Sequence, residues 1–154
     1  MQDFAQELVA RTDAMWLDRP ADIDRLVGRN YDTGKEFSCW AYCWGFLSNL
    51  SDELYMVYQL GREGKGDLET YKMLVSERLR RLGGSFQASG HMEDTKKTLE
   101  EAADAFEKVE TYEELATLAR ALQRYALQMS FWVDIELPWD EVCKLVDEKW
   151  HAKA

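Results

Sequence analysis

"TYEELATLARALQRYALQM", residues 111–129, places Leu115, Leu118, Leu122, Tyr125 and Met129 three or four residues apart, with Ala119 and Ala126 filling the same side. That spacing matches the 3.6-residue repeat of an α-helix with one apolar stripe. Thr111 and Glu114 stand in the Ser/Thr-x-x-Glu relation of a capping box, in which a hydroxyl and a carboxylate satisfy the free amides of a helix's first turn. Period-two alternation is not sustained anywhere in the chain, whereas helical spacing recurs almost throughout. The expected fold class is therefore all-α.

Working outward, residues 94–109 predict a helix burying Leu99, Ala102, Ala103, Phe106 and Val109. Before it, Asp67 is placed to cap a helix with Leu68, Tyr71, Val75, Leu79 and Leu82 inward, ending at Gly83 and Gly84. The segment 83–93, "GGSFQASGHME", lacks periodicity and predicts the longest, most mobile loop. At the N-terminus, residues 2–17 predict a helix with Phe4, Leu8, Thr12, Met15 and Trp16 on one face, broken at Pro20. A short helix with Ile23, Leu26 and Val27 follows. Pro138 suits the first turn of a last helix with Trp139, Val142, Cys143, Val146 and Trp150 inward.

The most apolar stretch is "FSCWAYCWGFL", residues 37–47. Thr33 and Glu36 form a second capping-box pair, predicting a helix over 33–62. On a helical wheel Phe37, Cys39, Trp40, Cys43, Trp44, Phe46 and Leu47 share one half. Ser38, Ala41, Gly45 and Ser48 make a line of small side chains opposite, where another helix could approach closely. A helix apolar nearly all round belongs at the centre of a bundle. The expectation is one compact domain over 1–154, with about six helices around this central one. Cys39 and Cys43 then read as small core hydrophobes, since Cys143, His91 and His151 offer no zinc-like spacing.

The 154 residues suffice for a single core without disulfides or metal. Six Trp, seven Tyr and six Phe make the chain tryptophan-rich and aromatic. A net charge of −10 disfavours nucleic acid or an anionic membrane as partner and favours a basic protein. The opening residues carry no basic region followed by an apolar core, and three cysteines suit a reducing compartment, so the expected location is the cytoplasm. Apolar runs fall short of the roughly 20 residues of a membrane span.

Charge is segregated along the chain. Residues 93–114 hold nine acids against three lysines, while 62–84 hold six basic residues against four acids. Glu100, Asp104 and Glu107 fall within about 60° on the wheel. With Glu110, Glu113 and Glu114 they form a candidate surface for a basic partner. Arg78, Arg80, Arg81 and His91 flank the expected loop and suggest a weaker anion site. Two histidines without a neighbouring nucleophile give no catalytic constellation.

"LEEAADAFEKVETYEELATLARALQRYALQMSFWVDIELPWDEVCKLVDEKW", from Leu99, resembles the C-terminal half of MazG-type all-α nucleotide pyrophosphohydrolases. There, an EExxE helix and an ExxD helix share Mg²⁺ ions that hold a nucleoside triphosphate. The resemblance implies Mg²⁺ ligation by Glu100, Glu101, Asp104 and Glu114. Thr117 stands where that family has an aspartate, and the gap between motifs is shorter. The leading expectation is accordingly a non-enzymatic binding protein, an inhibitor, immunity protein or adaptor, with no cofactor and possible self-association. A Mg²⁺-dependent pyrophosphohydrolase or degenerate relative is the alternative, and a module holding a small apolar ligand among Trp40, Trp44 and Trp132 is the third.

Overall fold

A computed structural model describes residues 2–14, 26–29, 36–84, 91–130 and 148. They form α1 (Gln2–Ala14), β1 (Leu26–Arg29), β2 (Glu36–Ser38), α2 (Cys39–Arg62), α3 (Leu68–Gly84), α4 (His91–Glu107) and α5 (Tyr112–Ser130). Among the described residues the architecture is an all-α bundle of five helices with one short antiparallel ribbon. Among the described residues no helix is long and apolar enough to cross a membrane.

The helices form a ring. α5 packs on α1 and α2, α3 packs on α4, and lighter α2–α3 and α1–α4 contacts close the circle. α1 thus sits between α4 and α5, although those two are consecutive in sequence. The core fills the middle: Leu8 from α1, Leu47 and Leu54 from α2, Leu79 from α3, Phe106 from α4 and Leu122 from α5 are at most 1% exposed. Every apolar position anticipated on α4, and on α5 as far as Met129, is buried.

The turns obey local hydrogen-bond rules. α2 ends in a Schellman motif: the Lys65 amide donates to the Leu60 carbonyl at 2.8 Å and the Gly64 amide to that of Gly61 at 3.1 Å. Gly64 takes the left-handed conformation this requires, with φ of 72°. Asp67 caps α3 by accepting from the Glu69 amide (3.2 Å) and the Thr70 hydroxyl (2.7 Å). Thr111 caps α5 by accepting from the Glu114 amide at 3.1 Å, and the Glu114 carboxylate reaches back to the Glu110 amide at 3.1 Å.

Three sequence expectations need correction. Leu26 and Val27 belong to a strand, and Glu36 opens β2, so no capping box starts α2; the helix begins at Cys39. The ribbon pairs Leu26 with Ser38, Gly28 with Phe37 and Arg29 with Glu36, and a bulge at Val27 breaks the register. Strands of four and three residues are too short to show a period. Second, α2 is not buried all round: Asp52 and Glu53 are exposed and Met56 is 60% exposed, because a ring of helices buries only one face of each. Third, part of the expected loop at 83–93 is helical: α3 includes Gly83 and Gly84, and α4 starts at His91. The expected last helix after Pro138 apart from Glu148, residues 15–17 of the first, and Ile23 lie outside the described residues.

The small-residue line on α2 is not where helices meet most closely. A Cβ built on Gly45 touches nothing, whereas one on Gly61 would overlap Cγ, Cδ1 and Cδ2 of Tyr112 at the start of α5. Gly45→Ala should therefore stabilise by about 0.5–1 kcal/mol through helix propensity. Gly61→Ala should destabilise, since overpacking of about 1–3 kcal/mol outweighs a propensity gain of up to about 1 kcal/mol. Urea denaturation of both variants checks the opposite signs; equal shifts would show that α2 and α5 do not meet at Gly61.

Candidate functional site

α4 presents two sides of different chemistry. Leu99, Ala102, Ala103 and Phe106 face the core with 0% exposure, and Glu93, Asp94, Glu100 and Asp104 are exposed. Helical spacing alone produces this division. The neighbouring helix then determines what becomes of the carboxylates.

That neighbour is α3, the basic segment. Arg80 reaches across to Asp104 Oδ1 at 2.5 Å and also binds the Glu107 carboxylate. The Ser76 hydroxyl lies 2.9 Å from both the Ala103 carbonyl and Glu107 Oε1, with one hydrogen to donate. Hydrogen bonding from Arg80, seconded by Ser76, holds the Glu107 carboxyl below its ordinary range. One turn earlier on α3, the buried Lys72 donates from Nζ to the Val109 carbonyl at 2.7 Å, at the C-terminal end of α4. It also pairs with Glu69 at 3.0 Å.

Other sequence candidates divide between different neighbours. Glu101 turns to α1, where Arg11 meets it at 2.5 Å and also binds Glu7 and the Thr98 hydroxyl. Glu114 is occupied as a cap. Glu100, Glu110 and Glu113 are exposed. The suggested metal set of Glu100, Glu101, Asp104 and Glu114 is thus spread over the α1 side, the outer face, the α3 side and the next turn. Among the described residues no group of three or more His, Cys, Asp or Glu is placed to hold a metal ion.

The three arginines of the suggested anion site also diverge. Arg78 binds Glu53 on α2, Arg80 crosses to α4, and Arg81 pairs with Glu77 at 2.6 Å along α3. The side chains of His91 and Trp40, and Trp132 as a whole, lie outside the described residues. Trp44 is half-buried against the core, and Cys43 is fully buried. Ser76 and Lys72 were not legible as contributors. Their signal is a polar residue inside the apolar stripe of α3, which also carries Val75 and Leu79.

Because the folded-state acidity of Glu107 is raised, the contact with Arg80 and Ser76 adds stability above the carboxylate's unfolded pKa of about 4.3 and loses it as pH falls through the lower folded value. Glu107→Gln should accordingly be less stable than the parent at pH 7, and the gap should close below the folded pKa. Thermal melts of both proteins from pH 7 to pH 2 measure this. A gap independent of pH would show that charge plays no part in the contact.

No family model matches the chain, and neither a curated protein nor a solved structure matches it.

Proposed function

We propose that the chain is a non-enzymatic binding protein, of the inhibitor, immunity-protein or adaptor kind, whose acidic surface on α4 and the turn into α5 meets a basic protein partner. The observation that carries this reading is the pairing of a fully buried inner face with an outer face of exposed carboxylates. Six carboxylates, at Glu100, Asp104, Glu107, Glu110, Glu113 and Glu114, stand against Arg80 and Lys108 and leave four negative charges. Asp104 keeps 63% of its side chain exposed despite its bond to Arg80, so it can meet a second cation. A surface of one sign steers a partner of the other and raises the association rate. Separation of the metal-capable carboxylates supports binding over hydrolysis.

The geometry also divides the residues into those that can be changed freely and those that hold the fold. Glu100, Glu110 and Glu113 are exposed, whereas Asp104 and Glu107 bridge helices. The test captures the partner from the native cell and measures its association kinetics with the variant carrying Glu100→Lys, Glu110→Lys and Glu113→Lys together. The association rate should fall at least tenfold and lose most of its salt dependence, while stability changes by no more than about 0.5 kcal/mol per site. Arg80→Gln should act in reverse on the rate, because it removes the cation embedded in the surface. An unchanged affinity in the folded triple variant defeats the reading.

A further inference from the structure

Among the described residues three large apolar side chains are exposed, Met56, Met73 and Leu74 at 60%, 50% and 43%, and all three lie on α2 and α3. Scattered singly they would need no explanation, but they gather in one place. The ion pair of Arg78 with Glu53 holds the two helices side by side. From that bridge Met56 is one turn along α2 and Leu74 one turn back along α3, both toward the turn at 63–67. On the α3 wheel Met73 and Leu74 flank Thr70, Glu77 and Arg81 within about 100°, opposite the buried Val75 and Leu79.

We propose that this outer face of α3, with Met56 beside it, is where two copies of the chain associate, their α3 helices antiparallel about a two-fold axis at Leu74. Charge complementarity selects a second copy as the occupant. Asp67, Leu74 and Arg81 stand seven residues apart and form one line along the helix, acid at its start, apolar at its middle and base at its end. A two-fold axis at the middle reverses that order, so Leu74 meets Leu74 and Asp67 of each copy faces Arg81 of the other. Both charged groups have capacity for the contact. Arg81 keeps 76% of its side chain exposed while paired with Glu77, and its guanidinium has further donors. The exposed Asp67 carboxylate spends one hydrogen bond per oxygen on its cap, to the Glu69 amide and the Thr70 hydroxyl, and each oxygen can accept another. Antiparallel packing also sets the two helix dipoles in opposition.

A chain of net charge −10 repels its own copies, and the repulsion is least at this face, since residues 62–84 hold six basic residues against four acids. At physiological ionic strength the screening length is about 8 Å, so acids elsewhere on the bundle weigh little against the local balance. The pair carries two acidic α4 surfaces, and a partner with two basic sites would gain avidity from it. That consequence rests on the function proposed above, whereas the pairing itself does not.

The test is sedimentation equilibrium of the whole chain at concentrations up to about 1 mM, where the mass should rise from one chain toward two with a dissociation constant on the order of 0.1 mM. Backbone amides at 53–56 and 67–81 should shift with concentration in NMR spectra. Leu74→Glu puts like charges at the axis and should weaken association roughly tenfold or more, with thermal unfolding unchanged because the position is exposed. Exchanging Glu77→Arg and Arg81→Glu together keeps composition, net charge and the pair within the helix, yet sets an acid opposite Asp67. It should weaken association to a similar degree. The proposal is overturned if the chain stays monomeric throughout, if the shifts fall on α4 instead, or if Leu74→Glu or the exchange variant associates like the parent. Should Leu74→Glu fail to fold, the exchange variant alone decides.

Discussion

Leu115, Leu118, Leu122, Tyr125 and Met129 run the length of α5 with at most 3% exposure, and the alanines at 119, 121 and 126 widen that stripe. A stripe this wide cannot be covered by one neighbouring helix. α1 takes one flank and α2 the other, so α1 enters between α4 and α5 and the remaining helices close a ring. Tyr125 shows how complete the enclosure is. Burial pushes its phenol up to about 12, although hydrogen bonds with Thr95 and Thr98 of α4 pull in the other direction. Its polar tip is accommodated because α4 presents two threonines in the core, at 1% and 6% exposure.

The segregation of charge along the chain acquires a different meaning in three dimensions. Residues 62–84 and 93–114 have opposite sign, and α3 and α4 are packed side by side. Part of the cationic complement of α4 is therefore supplied within the molecule. Arg11, Arg78 and Arg80 each join two helices, linking α1 to α4, α3 to α2 and α3 to α4. Partly exposed ion pairs of this kind add little stability singly. Their larger consequence is registration: a helix that slides by one turn loses its partner.

How much of this was legible depends on whether the information is local. The apolar positions of α4 and α5 follow from unbroken helical spacing, and the caps at Asp67 and Thr111 follow from side chains bonding to amides two or three residues away. The ribbon at Leu26–Arg29 and Glu36–Ser38 was missed because its strands are shorter than any period a sequence can display. A helical wheel also shows which side of α4 is acidic but not which helix lies beside it. For that reason Arg80, assigned to an anion site, proved to be the partner of Asp104 and Glu107. The two glycines of α2 make the same point: both lie in one helix, and only Gly61 meets a ring, because closeness belongs to the pair of helices.

The end of α4 shows why the α3 cations are placed where they are. A helix C-terminus carries partial negative charge, and acids in the last turn are disfavoured there by about 0.3–1 kcal/mol each. α4 has no basic residue in its last turn and ends at Glu107, after which come one cation, Lys108, and another acid, Glu110. Lys72 and Arg80, two turns apart on α3, meet this accumulated charge, the first at the Val109 carbonyl and the second at the Glu107 carboxylate. Beyond the turn the same sign is favoured, since Glu113 and Glu114 occupy the first turn of α5, where the dipole is positive. The acidic surface is thus held at one end by a neighbouring helix and at the other by the helix it introduces. Neither support requires the outward carboxylates of Glu100 or Glu110, which stay exposed.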